Sequence, residues 1–61
     1  MDSNARHVMR FINENFHLED FEVIDFPLLP GGKIVKDKQG EELLFYWDIL
    51  FQRIAYKERG R

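Results

Sequence analysis

The first apolar pattern along the chain has the spacing of a helix. Val8, Ile12 and Phe16 follow one another at intervals of four residues, which places them on one face of an α-helix. Ser3 precedes them, and a serine at this position accepts hydrogen bonds from the N–H groups of a first helical turn. The sequence therefore predicts a helix over residues 3–16.

The middle of the chain alternates between short runs of strand-forming residues and turns. Residues 20–26 are rich in β-branched and aromatic types, and a Pro-Gly-Gly turn separates them from a second run at 33–36. Gly40 supplies the turn residue before a return strand at 41–47. We therefore predict three strands, of which the last two form a hairpin near 33–47.

The last third of the chain supports two interpretations. In the favoured one, Asp48 caps a closing helix over 48–58 whose apolar face includes Leu50 and Phe51. In the other, residues 41–58 form one long helix that begins at a pair of glutamates, which suits the positive end of a helix dipole. Apolar residues fall on all faces of that long helix, so hairpin plus helix is preferred.

These elements predict a single α+β domain over residues 1–61: an N-terminal helix, a small antiparallel sheet of about three strands, and a C-terminal helix. The chain has 61 residues and no cysteine, so neither disulfides nor a cysteine zinc site stabilise it. Stability must come from apolar packing, for which the 44% hydrophobic and 15% aromatic content is suited. The predicted core comprises the inner positions of these elements: Val8, Met9, Ile12, Phe16, Phe21, Val23, Ile34, Phe45, Trp47, Leu50, Phe51 and Ile54.

The apolar residues exceed what so small a domain buries easily. The run 43–51 contains a single polar residue, and the loop 26–30 holds one Phe, two Leu and two Pro. Such a loop either folds back over the core, which we favour, or projects into another subunit. Exposed apolar patches mark association sites, so we predict a homo-oligomer, most simply a two-fold dimer. Its predicted interface comprises Leu28, Leu29, Leu44, Tyr46 and Tyr56.

Charge is divided between the two halves of the chain, although the net charge is only −2. Residues 1–32 carry a net charge of −4 and residues 33–61 a net charge of +2. The two halves of one chain can meet, which we favour, or a second copy can bind head to tail. The acidic stretch 14–25, or an apolar surface, also allows a different hypothesis: a small inhibitor or adaptor that docks on a larger protein partner.

Nucleic-acid binding is the main alternative function. Basic residues of the hairpin and the last helix would contact phosphates, and Phe45, Tyr46 or Trp47 would stack on single-stranded bases. The sequence pI of about 5.6 is low for a nucleic-acid-binding domain, so nucleic acid ranks below self-association as a partner. The candidate contacts are Lys33, Lys36, Lys38, Arg53, Lys57, Arg59 and Arg61.

Residues suited to catalysis or metal binding are few. The chain has one Ser, no Thr and no Cys, which leaves almost no side chain for nucleophilic catalysis. His7 and His17 are ten residues apart and match no metal-binding spacing. Adjacent carboxylates such as Glu41 and Glu42 point apart on a strand or helix. We expect no enzymatic activity, no catalytic residue, no cofactor and no metal.

No apolar run reaches the ~18 residues of a membrane-spanning helix. The first ten residues also lack the apolar stretch of a signal peptide. The sequence therefore predicts no membrane partner and a cytoplasmic location.

Overall fold

The computed structural model describes residues 3–59. One helix is followed by four strands. Their bounds are α1 Ser3–Asn15, β1 Glu22–Asp25, β2 Lys33–Lys36, β3 Glu42–Asp48 and β4 Arg53–Arg59. The strands form one antiparallel sheet in the order β1-β2-β3-β4, and α1 packs on one face of it.

The predicted C-terminal helix over 48–58 is wrong, as is the alternative long helix over 41–58. After β3 the chain turns and returns as β4, so the sheet has four strands instead of about three. Asp48 Oδ1 accepts hydrogen bonds from the backbone N–H groups of Leu50 (3.0 Å) and Phe51 (3.2 Å). A helix N-cap makes the same bonds to the residues two and three positions on, so this local signal fits a turn equally well.

Pairing with β3 explains why the last segment is a strand. Ile54 and Tyr56 lie opposite Trp47 and Phe45, and cross-strand partners share one face of a sheet. Ile54 thereby packs against the core. The basic residues of β4 alternate with these positions and face the other side, which is the period-two pattern of a strand.

The core lies between α1 and the sheet. Val8 and Ile12 of α1 are fully buried and pack with Val35 and Phe45, which confirms the helical stripe predicted from the sequence. Phe45 is also the centre of an aromatic cluster, with ring centroids 5.4–6.0 Å from those of three neighbours: Phe11, Phe16 and Tyr56. In a chain with no disulfide, these large rings supply much of the buried area.

Part of the predicted core lies elsewhere. Leu50 and Phe51 were assigned to the core only through the predicted C-terminal helix, and both are exposed in the β3–β4 turn. Ile34 is buried, but its strand position alternates with that of Val35, so it lies on the face away from α1.

The sheet face away from α1 has no second layer within residues 3–59. Ile34 and Leu44 are register partners near its centre and are nevertheless only 7% and 4% exposed. Long side chains from the outer strands flank them, including Arg59, whose guanidinium lies 5.2 Å from the ring centroid of Phe26. The stems of such side chains cover apolar surface, so the central residues of this face are not left open to solvent.

The connections divide between the two ends of the sheet. In an antiparallel meander, the β1–β2 loop (26–32) and the β3–β4 turn (49–52) lie at one end, and the β2–β3 hairpin (37–41) lies at the other. A hydrogen bond from Trp47 N to Pro30 O (2.9 Å) joins the first loop to the end of β3. The helix N-terminus lies at this same end, and its C-terminus lies at the hairpin end.

Candidate association site

Four large apolar side chains project at the end of the sheet where the loop and the turn meet. They form the apolar tip, which consists of Leu28, Ile49, Leu50 and Phe51. Their exposed fractions are 82%, 63%, 82% and 68%, respectively. Single exposed apolar residues are common on proteins, but three consecutive ones in one turn are not, and such patches mark interaction surfaces.

The turn that carries most of the tip has a defined conformation. The Asp48 carboxylate accepts the N–H groups of Leu50 and Phe51, and Gln52 takes a left-handed conformation with φ of 53°. The guanidinium of Arg53 lies 5.1 Å from the ring centroid of Phe51, within the range of a cation–π contact. These contacts order the backbone of the turn and hold the Phe51 ring beside Arg53 before any partner binds.

The β1–β2 loop contributes only one residue to the tip. Leu29 and Pro30 are half-buried, and Gly31 lies against the start of α1, where an added Cβ would be 2.6 Å from the carbonyl oxygen of Asn4. Pro27 and Leu28 are both exposed, and Leu28, at 82%, is the large side chain that projects. Residues 29–32 of the loop therefore fold back against the domain, as favoured from the sequence, whereas the two residues before them remain exposed.

The five predicted interface residues lie on different surfaces. Leu28 belongs to the tip, and Leu29, the next residue, is half-buried. Leu44 is buried on the sheet face away from α1, and Tyr46 is half-buried on that face. Tyr56 is 65% exposed on β4.

The three tip residues of the β3–β4 turn are not indicated by any turn signal in the sequence. Turns are usually recognised by Gly, Pro, Asn or Asp, and residues 49–52 contain none of these. The available signal was that Arg53 and Lys57 fall on odd positions whereas the large apolar side chains of Ile54 and Tyr56 fall on even ones. This partial period-two pattern indicates a strand and so requires a turn before it.

A cavity of about 530 Å³ opens at the opposite end of the sheet. We name it the end cavity. Its apolar lining comes from the end of α1, the segment before β1 and two strands: Phe16, Phe21, Val35 and Leu43. Charged residues complete the lining: Asp37, Glu41, Glu42, Glu58 and Arg59. Its volume is within the range of ligand-binding clefts, about 300–1,000 Å³.

The charged part of the end cavity carries an excess of negative charge. Arg59 is already paired with Glu42 (Nε to Oε1, 3.4 Å). The Asp37 carboxylate accepts backbone N–H groups of the hairpin, from Gln39 at 2.8 Å and from Glu41 at 2.9 Å. Glu41 and Glu58 form no salt bridge with any other residue in 3–59. Their carboxylates therefore remain available to a cation.

The predicted nucleic-acid contacts are spread over the molecule. Lys33 and Lys38 form salt bridges with Asp25 (2.5 Å) and Asp20 (3.7 Å). Arg61 lies outside the described residues. The other four share the sheet face away from α1, three of them at alternate positions of one strand: Lys36 on β2, and Arg53, Lys57 and Arg59 on β4.

The acidic and basic halves of the chain meet where β1 pairs with β2. Glu22 lies opposite Lys36, and Asp25 lies opposite Lys33. Opposite charges on directly facing positions favour this pairing. The arrangement is the one favoured from the sequence, and two acids of the stretch form salt bridges with basic residues of the second half: Asp25 with Lys33 and Asp20 with Lys38.

Neither histidine belongs to the apolar tip or to the lining of the end cavity. His7 stacks on Trp47 with ring centroids 4.5 Å apart and an interplanar angle of 21°. Across residues 3–59, no three His, Asp or Glu side chains are grouped so as to hold a metal ion.

The helix in this range lacks the length and apolarity needed to cross a membrane. No protein-family model, curated protein or solved structure matches the chain.

Proposed function

We propose that this chain is a non-enzymatic interaction module that self-associates through its apolar tip. The observation that carries the proposal is the exposure of four large apolar side chains at one end of a 61-residue chain. Removing such a side chain fully from water contributes roughly 1.5–3 kcal/mol. A contact that buries the tip therefore has a substantial driving force.

The rigidity of the tip also supports this function. Ordering a flexible loop on binding costs free energy, and a surface that is already ordered avoids much of that cost. The Asp48 hydrogen bonds fix the turn, while Pro27 and Pro30 restrict the backbone on either side of Leu28. The backbone of the tip is thus largely ordered before a partner binds.

The test is the mass of the full chain as a function of concentration, measured by sedimentation equilibrium. We expect the wild-type mass to rise above the 7.4 kDa of one chain as concentration increases. A variant with Leu50→Asp and Phe51→Asp should stay monomeric, because charge at these positions opposes burial. Leu18→Asp is the matched control, since Leu18 is 45% exposed but lies outside the tip.

Two results would contradict the proposal. One is a wild-type chain that stays at 7.4 kDa up to several hundred micromolar. The other is a tip variant that assembles as tightly as the wild type and the Leu18→Asp control. Circular dichroism of each variant establishes that it retains the fold before its mass is interpreted.

Nucleic-acid binding is a second candidate function, favoured by the basic row on β4. Arg53, Lys57 and Arg59 point to the same side of the sheet. Lys57 Nζ lies 6.0 Å from the ring centroid of the half-buried Tyr46. A sheet face that combines basic residues with an aromatic ring suits a single strand, through phosphate contacts and base stacking.

Fluorescence anisotropy of a labelled single-stranded oligonucleotide tests this second function. Binding at low salt should weaken steeply as salt is added, because counterions are released on binding. Lys57→Glu should weaken it at least tenfold, whereas Arg10→Glu, on the exposed side of α1, should have little effect. An unchanged anisotropy at low salt would exclude the function.

A further inference from the structure

We infer that the apolar tip of one copy docks in the end cavity of the next copy, which makes the assembly head to tail. This inference rests on the self-association proposed above and names the surface that receives the tip. It follows from the chemistry of the two ends of the molecule, which are complementary in polarity and in charge.

The end cavity fits an apolar group that carries a cation beside it. Its lining includes two phenylalanine rings and two aliphatic side chains, which favour an apolar occupant. Glu41 and Glu58 are exposed at its margin without a salt-bridge partner in residues 3–59. A neutral apolar occupant would leave these carboxylates uncompensated, and a cation next to it would pair with them.

The apolar tip has this combination of groups. Leu50 and Phe51 are exposed, and the Arg53 guanidinium lies 5.1 Å from the centroid of the Phe51 ring. Within residues 3–59, Arg53 takes part in no salt bridge. Docking of Phe51 or Leu50 in the cavity would bring this guanidinium to the acidic margin. There it would pair with the carboxylates that have no salt-bridge partner within residues 3–59 of their own chain.

In the competing arrangement, two tips meet about a two-fold axis. Its electrostatic energy is less favourable than that of head-to-tail docking. It would bring the two Arg53 side chains together, along with the positive ends of the two α1 helices. Like charges placed face to face across an interface oppose association. Head-to-tail docking instead separates the two Arg53 side chains, and with them the two helix N-termini, by the length of a molecule.

The two surfaces are at opposite ends of the sheet, so one molecule cannot fill its own cavity. Each copy would offer its tip to one neighbour and its cavity to another, which is a heterologous contact. Such contacts build open chains, or a ring if the rotation between copies closes. This arrangement differs from the two-fold dimer that is the simplest expectation from the sequence.

Complementation between two defective variants tests the inference with the full chain. The tip variant carries Leu50→Asp and Phe51→Asp, and the cavity variant carries Glu41→Lys and Glu58→Lys. We expect each variant alone to associate at least tenfold more weakly than the wild type. Mixed in equal amounts, they should form a 1:1 heterodimer, in which the intact tip of the cavity variant fills the intact cavity of the tip variant. This heterodimer should grow no further, because its two free ends are the defective tip and the defective cavity.

A charge exchange within one chain provides a second test that does not depend on apolar side chains. Arg53→Glu and Glu58→Lys should each weaken association at least tenfold, because each places like charges across the contact. A chain that carries both substitutions should recover at least half of that loss on a logarithmic scale. Lys38→Glu at the hairpin, outside the lining of the end cavity, is the control for net charge.

The results separate this inference from the function on which it rests. If the cavity variant associates as tightly as the wild type, and the mixture gives no heterodimer, the end cavity is not the receiving surface. Self-association through the tip would then stand, with tip against tip as the arrangement. If the wild type itself never exceeds the mass of one chain, both the function and the inference are wrong.

Discussion

A single side chain, Asp48, determines how the exposed turn is presented. Its carboxylate accepts two backbone N–H groups, those of Leu50 and Phe51, which would otherwise lack partners within the turn. The turn contains no Gly, Pro or Asn to favour its conformation, and Gln52 adopts a positive φ of 53°. Because non-glycine residues adopt such a conformation at a cost, the hydrogen bonds of Asp48 and the pairing of β4 with β3 offset it together.

We predict that Asp48→Ala lowers the free energy of unfolding by about 1 kcal/mol, the usual cost of removing a capping side chain. Asp48→Asn should retain most of the stability, since its amide oxygen accepts the same bonds. Urea denaturation at low micromolar concentration, where association is minimal, measures both variants. Equal midpoints for Asp48→Ala and the wild type would show that the carboxylate does not stabilise the turn.

At the scale of elements, burial against the sheet decides stability more than local preference does. Helix α1 has 13 residues, a length that is marginal for an isolated helix in water. Its Val8 and Ile12 are fully buried against β2 and β3. The edge strand β4 likewise depends on β3, which it pairs along its entire length.

We predict that the same substitution has different effects on α1 and on β1. Ile12→Val should lower the free energy of unfolding by about 1 kcal/mol, because it removes a methyl group from a packed core. Ile24→Val should change it by less than about 0.5 kcal/mol, because Ile24 is 37% exposed on an edge strand. Chemical denaturation of the two variants under identical conditions gives the comparison, and equal effects would contradict it.

At the scale of the molecule, the main feature is the difference between its two ends. One end has the apolar tip, with Arg53 beside it, and the other has an apolar cavity with an acidic margin. Both sheet faces are occupied, one by α1 and the other by its own long side chains. The largest group of exposed apolar side chains therefore lies at one end of the sheet, and the apolar cavity lies at the other.

We predict that the thermal midpoint Tm of the wild-type chain rises with protein concentration. Association stabilises the folded state by mass action, because only folded chains present the tip. The variant with Leu50→Asp and Phe51→Asp should show a Tm that is independent of concentration. Differential scanning fluorimetry over a hundredfold concentration range compares the two, and parallel behaviour would argue against tip-driven assembly.

Much of the fold is predictable from local patterns. The helical stripe of Val8, Ile12 and Phe16 gives α1 to within one residue at its end. The run at 33–36 is β2 as predicted, because flanking turn residues delimit it. These predictions succeed because each pattern gives the helix or strand one apolar face, and that face packs against the core.

The sequence by itself determined α1, the first three strands and the need for an apolar core without disulfides. Only the tertiary structure decided the state of residues 48–59, since Asp48 makes the same hydrogen bonds in a helix cap and in this turn. The candidate site depended on that choice. If this segment were a helix, Leu50 and Phe51 would be buried. Because it forms the turn between β3 and β4, they are exposed. The pairing of β4 with β3 joins residues that are separated along the chain, and the periodicity within one segment does not indicate it.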